Sequence, residues 1–164
     1  MTPLDRTLTY RLHLLHKLTD MTSQRAYVND AGLSMSDGRC LTAIGSFAPL
    51  SVNDLAHKAN LNKGQASRAA QSLVDQGLVR KVASPLDGRG VVLTLSPKGK
   101  TAWQRAMDVV GQRNQDIFGV LSAPERKQLS DVFDRLIAQA QADQTDQAKN
   151  NRSQAASAPS DITA

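Results

Sequence analysis

Cysteine, glutamate and aromatic residues are scarce in this chain of 164 residues. The one cysteine, Cys40, excludes an intramolecular disulfide and a zinc site made of thiolates alone. A single glutamate, Glu125, and the lack of any Ser/His/Asp clustering argue against hydrolase chemistry. No nucleophile elbow, glycine-rich phosphate loop or HExxH pattern occurs, so no catalytic residue, cofactor or metal ligand is assigned. No apolar run approaches the roughly 18–20 residues of a membrane-spanning helix. The start, Met1-Thr2-Pro3-Leu4-Asp5-Arg6, lacks a basic segment followed by an apolar one. The expectation is therefore a cytoplasmic protein that does not engage membranes. Hydrophobic residues make up 40% of the chain, enough to bury a core without staples in one domain, or in a small domain plus extra helices.

What is present is positive charge, and it is clustered. The formal net charge is +5. Between His57 and Arg105 lie Lys58, Lys63, Arg68, Arg80, Lys81, Arg89, Lys98, Lys100 and Arg105, opposed only by Asp75 and Asp87. This middle third carries more than the whole excess, and the remainder is slightly acidic. A merely solvated basic surface would spread its charge; a concentrated one points to an anionic polymer.

Helix signals dominate the pattern. Thr2-Pro3-Leu4-Asp5 predicts an N-cap with proline at the first helical position, opening a helix to about Tyr27. Leu4, Leu8, Leu12 and Leu15 form one apolar stripe on it, and Leu14, Leu18 and Met21 a second, which implies burial against two surfaces. Asn29-Asp30-Ala31-Gly32 ends it. Ser34, Ser51 and Asn62 are predicted to cap a second, third and fourth helix, and Gly77 to stop the fourth. The period then changes. Leu78–Val82 and Val91–Leu95 are β-prone and flank the turn-forming 84–90, which predicts one hairpin. Ser96-Pro97 opens a long helix to about Leu121, and Ser122-Ala123-Pro124-Glu125 a last one with the stripe Leu129, Val132, Phe133, Leu136, Ile137 and Ala140. From Asp143 the pattern is lost, and residues 143–164 are expected to be disordered.

Three short helices followed by a hairpin describe a winged helix-turn-helix, with Asn60-Leu61-Asn62 as the turn. The fourth helix is the candidate recognition helix. Ala66, Ala69, Ala70, Leu73 and Val74 form its inner face, while Gly64, Arg68, Gln71 and Asp75 face outward, flanked by Gln65, Ser67 and Ser72. Arginine reads guanine edges, glutamine reads adenine, serine serves bases or phosphates, and a glycine lets the backbone come close. The candidate DNA contacts are thus Asn62, Lys63, Gly64, Gln65, Ser67, Arg68, Gln71, Arg80, Asp87 and Arg89. Arg89 at the hairpin tip is suited to the negative potential of a minor groove, and Asp87 to holding its guanidinium.

The segments Leu61–Arg68, Leu73–Arg80, Pro85–Gly90 and Leu93–Gly99 together resemble the MarR family of bacterial transcription regulators, over roughly residues 4–140. The Asp-x-Arg wing followed by a Leu-Thr strand and a glycine-bearing helix start carries the resemblance. It implies a mainly α fold with a small β-hairpin wing: a dimerisation helix in 1–30, a winged helix-turn-helix in 31–97 and dimerisation helices in 98–142. It further implies a homodimer on pseudo-palindromic duplex DNA, usually a repressor, released by a small anionic or aromatic effector. Asn62 and Gly64 stand where serines are more usual, and Gly88 where a bulkier residue is common between the wing Asp and Arg.

An aromatic carboxylate would sit among Tyr10, His13, His16, Arg39 and Trp103, with Arg39 assigned by the resemblance and no motif. His13 and His16, with Asp20 a turn on, offer a zinc alternative. Cys40 beside Arg39 offers a redox one, although a buried small hydrophobe is the simpler reading. A winged helix used for protein contacts without DNA is the alternative from another class; it would favour an acidic or apolar recognition face.

Overall fold

The computed structural model describes residues 1–84 and 90–156, with side chains through Lys149. It is mainly helical with one antiparallel hairpin, and it divides into two compact units, residues 1–117 and 118–164.

In the first unit, α1 (Leu8–Ala26) starts later than the Thr2-Pro3 pattern predicts. Leu4–Arg6 make a single 3-10 turn, and Thr7 is the true N-cap: its Oγ1 accepts from the Tyr10 N–H at 3.4 Å and donates to the Leu4 carbonyl at 2.7 Å. The end falls where expected. A π-helical turn, Tyr27–Ala31, is closed by Gly32 at φ 67°, a left-handed conformation that suits glycine. The serine caps hold as read. Ser34 Oγ accepts from Asp37 N–H to open α2 (Met35–Phe47), and Ser51 Oγ from Asp54 N–H to open α3 (Val52–Lys58), each at 3.1 Å. Then come α4 (Lys63–Asp75), β1 (Val79–Ala83), β2 (Val91–Leu95) and α5 (Pro97–Phe118). The strands pair from Val79 with Leu95 to Ala83 with Val91. Leu78 stands just before the first strand, and α5 stops three residues short of the expected Leu121.

The core joins the three short helices to the hairpin. Leu41 and Ile44 of α2, Leu55 of α3, Leu73 of α4 and Leu93 of β2 are fully buried with Cys40. Each such side chain contributes about 1.5–3 kcal/mol of burial free energy. Leu50, before α3, exchanges backbone hydrogen bonds with Leu93, so the hairpin is fastened to the helices along its inner strand. Buried Ser96 joins three elements: its hydroxyl donates to the Gly77 carbonyl at 2.7 Å and accepts from the Gly99 N–H at 2.9 Å. A Cβ at Gly99 would run into the Leu78 carbonyl, so only glycine lets α5 start this close to the end of α4.

The first helix contributes no buried residue. Leu8, Leu12 and Leu18 are each 60% exposed or more, and Leu14, Leu15 and Met21 are also exposed. Both apolar stripes read from the sequence therefore lie uncovered by the described residues of the first unit.

The second unit contains α6 (Ala123–Ala156). The Ser122 backbone N–H and hydroxyl each donate to the Glu125 carboxylate at 2.7 Å, which holds its pKa below the usual carboxylate range. Phe133, Leu136 and Ile137 are exposed on this helix. The helix runs on through residues 143–156, where a disordered tail was expected; residues 157–164 lie outside the described part. The apolar stripe does stop near Ala140, but helix needs no burial if each turn is supported locally. Here Gln139 Nε2 donates to Asp143 at 2.8 Å, Thr145 Oγ1 to the Gln141 carbonyl at 2.9 Å, and Lys149 pairs with Asp146 at 3.5 Å.

Candidate nucleic-acid interface

The turn from α3 to α4 has no glycine, and Asn60 supplies the left-handed residue instead, at φ 53°. Asparagine is among the few side chains that visit this region readily. The Leu61 N–H then bonds back to the Ala56 carbonyl at 3.0 Å, which turns the chain into α4. A full capping box opens that helix: Asn62 Oδ1 accepts from the Gln65 N–H at 2.8 Å, and Gln65 Oε1 from the Asn62 N–H at 3.2 Å. Both side chains named as DNA contacts are thus oriented by the cap. Each keeps its amide NH2 as a donor.

The alternation along α4 is as read. Ala66, Ala69, Ala70 and Leu73 are buried and Val74 is half-buried, while Lys63, Gly64, Ser67, Arg68 and Gln71 are exposed on the other side. The small alanines let α4 lie close against α2 and α3. One polar anchor fixes its rotation. The buried Asp37 carboxylate, at the start of α2, accepts from Ser72 Oγ at 2.9 Å and Gln76 Nε2 at 3.2 Å. Lys98 Nζ donates to the Gln76 carbonyl at 3.0 Å, at the negative end of the helix. Asp37 and Gln76 carry no functional signal in the sequence and Lys98 only that of the basic cluster, because nothing marks polar residues so far apart as partners.

In the hairpin, Val79, Lys81 and Ala83 share one face and Arg80 and Val82 the other. Arg80 is exposed, on the side opposite Lys81. Lys81 Nζ reaches α4 and donates to Gln71 Oε1 at 2.7 Å, while Gln71 Nε2 donates to Asp75 Oδ1 at 2.7 Å. The wing tip residues Asp87 and Arg89 lie outside the described residues.

The geometry is a helix presented by its first turns beside a basic hairpin, and comparison with known proteins agrees. Residues 31–90 match the sequence profile of the MarR family. The HTH-type transcriptional repressor Rv2887 of Mycobacterium tuberculosis is 26% identical over 111 residues, 68% of this chain and 80% of the repressor. The chain is thus similar, over its winged helix-turn-helix segment, to transcription regulators of the MarR family. Among solved structures, Rv2887 bound to salicylic acid is 25% identical at a TM-score of 0.65, covering 81% of this chain and 98% of that one. Bordetella bronchiseptica BpsR, whose DNA binding is described as regulated by 6-hydroxynicotinic acid, shares the fold at a TM-score of 0.72 and 18% identity, with 83% of this chain and 96% of that one covered.

The chain also has a cleft of about 570 Å³ where α1, α2 and α5 meet the end of α3. His16 and Arg39, two of the five residues expected around an effector, line it. Tyr10 and His13 do not; both are exposed farther along α1. Trp103 is not in the lining either; it packs on Gly45, where a Cβ would overlap its indole. Its Nε1–H is buried without a hydrogen-bond partner among the described residues. The rest of the lining, including Thr42, Ser46, Phe47, Lys58, Asn60, Met107 and Val110, comes from separate elements and left no local trace in the sequence. Arg39 shares its charge with Asp20 at 3.3 Å, whereas Lys58 Nζ sits over the Phe47 ring, 4.9 Å from its centroid. No acidic side chain is in the lining.

The zinc and redox alternatives fare differently from the cleft. Among the described residues no group of three His, Cys, Asp or Glu side chains could hold a metal, and Asp20 is engaged by Arg39. Cys40 is fully buried, and burial, helped by the Asp37 carboxylate, pushes its thiol up to about 12. Such a thiol stays protonated and is not the accessible thiolate that a sensor requires. Among the described residues no helix is long and apolar enough to cross a membrane.

Proposed function

We propose that this chain acts as a homodimeric, sequence-specific repressor on pseudo-palindromic duplex DNA, released by a small aromatic carboxylate. The observation that carries the DNA-binding part is the exposed first two turns of α4. They present Lys63, Gly64, Ser67 and Arg68 on a helix whose start is held by a capping box and whose later turns are held by a buried carboxylate and the hairpin. Arg68 offers a planar fork for guanine, Ser67 a short adaptable donor, and the α4 N-terminus and Lys63 favour phosphate. The uncovered stripes on α1 and α6 support the dimer, because exposed leucines of this number ordinarily meet a partner.

The cleft supports the effector. Ala43, Phe47, Met107 and Val110 offer an apolar bed, and Arg39 and Lys58 offer positive charge for one carboxylate. The salicylate and aminosalicylate complexes of Rv2887 are of that ligand class. Lys58 and Asn60 belong to the end of α3 and the turn before α4, so a ligand drawing Lys58 off Phe47 acts at the root of the recognition helix. It weakens DNA binding only to the extent that it favours the DNA-free form.

The test is a mobility shift on the DNA upstream of the chain's own gene against unrelated duplex at equal salt, with and without salicylate. Retention of the upstream fragment at concentrations that leave unrelated DNA free, and its release by salicylate but not by benzyl alcohol, is the expected result. Equal retention of both duplexes would overturn the specific-repressor reading. Insensitivity to every aromatic acid tried would overturn the effector reading alone.

A further inference from the structure

The sequence offers Gln71 as a reader of adenine, since it lies on the outer face of α4 one turn beyond Arg68. Reading adenine takes both ends of the amide: the oxygen accepts from the base N6–H and the nitrogen donates to N7. In the structure both ends are already engaged, and by charged groups. Lys81 Nζ is donor only, so it fixes which end is oxygen; the Asp75 carboxylate is acceptor only, so it fixes which end is nitrogen. Both contacts are 2.7 Å.

Releasing the amide has two further consequences. Asp75 would be left without its partner on the surface proposed to face DNA, and Lys81 would lose its contact with α4. On the same helix Ser72 and Gln76 are engaged by Asp37. From residue 71 onward, each polar side chain through Gln76 is therefore part of an internal link, and among the described residues those before it, apart from the cap, are not.

We infer that Gln71 is a positioning residue, held between Lys81 and Asp75 to set the wing against the recognition helix, and that base discrimination by α4 is confined to its first two turns, through Ser67 and Arg68. This rests on the proposed DNA-binding function. Lys81 acts in it through Gln71: the lysine sets the angle at which the hairpin meets the duplex.

The test compares the full-length wild type with Gln71→Met, Lys81→Met and the double variant, all at exposed positions where folding is checked by thermal melting. Methionine keeps the length of each side chain and removes the hydrogen bonds. Affinity is measured for the best operator and for a panel with each base pair of the half-site substituted. Gln71→Met is expected to weaken all duplexes by a similar factor, about 3–10-fold, with the order of base preference unchanged. Lys81→Met is expected to cost less in the Gln71→Met background than in the wild type. Loss of preference at one base pair in Gln71→Met would overturn the inference, as would no change at all, or strict additivity with Lys81→Met. Failure of the wild type to prefer any duplex would instead overturn the function on which the inference rests.

Discussion

At the scale of single residues, charge and exposure separate roles that composition alone runs together. Arg68 is exposed on α4, in the turns proposed to read bases. Arg68→Ala is expected to cost about 1–3 kcal/mol on the operator and to relax preference at one base pair per half-site. Arg89→Ala is expected to weaken operator and unrelated DNA more evenly and to flatten the salt dependence, as a groove-potential contact would. Fluorescence anisotropy across a salt series distinguishes the two; a change of base preference confined to Arg89→Ala would reverse the roles. Cys40 gives a pH prediction. Its pKa is raised from an ordinary value near 9 to about 12. The unfolded chain therefore releases this proton first as pH rises. The associated stability is fully present below about pH 9 and is lost as pH climbs through the folded value. Urea midpoints from pH 8 to 10.5 are expected to fall more steeply for the wild type than for Cys40→Ala; parallel curves would contradict a buried neutral thiol.

At the scale of elements, what was legible in the sequence was what is decided within four residues. Ser34, Ser51, Asn62, Ser96 and Ser122 each sit at a helix start as read, because a cap is a bond between near neighbours. The hairpin and the buried alanine face of α4 were legible for the same reason, through their periods of two and 3.6. Thr2-Pro3 misled because Thr7 competes for the same role with a better-placed oxygen. The stretch after Asp143 misled because the loss of an apolar stripe was read as loss of helix, when local pairs suffice. Links between distant polar residues, Asp37 to Ser72 and Gln76 or Lys81 to Gln71, had no local signal at all. The same holds for the cleft, of which His16 and Arg39 were found and Lys58 was not. The capping box makes a clear prediction for α4. Asn62→Ala is expected to destabilise the protein by about 1 kcal/mol in thermal or urea unfolding and to reduce operator affinity as well. A loss of stability without any loss of affinity would show that the helix start is not part of the DNA contact.

At the scale of the whole molecule, the account depends on a second copy. The stripes of α1 and α6 expose Leu8, Leu12, Leu18, Leu136 and Ile137, each at 52% or more, and among the described residues nothing in their own units covers them. Ending the chain after Leu121 is expected to yield aggregated or unfolded protein by light scattering and circular dichroism; a soluble folded monomer would contradict the dimer. The symmetry of a dimer then dictates the symmetry of its DNA, with two recognition helices reading half-sites about one turn, roughly 34 Å, apart. Selection of binding sequences from a random duplex library by the full-length protein, at physiological salt, tests this most directly. The account predicts enrichment of an inverted repeat with half-site centres about 10 base pairs apart or a multiple of that. Enrichment of a single unrepeated site, or of no sequence at all, would contradict it.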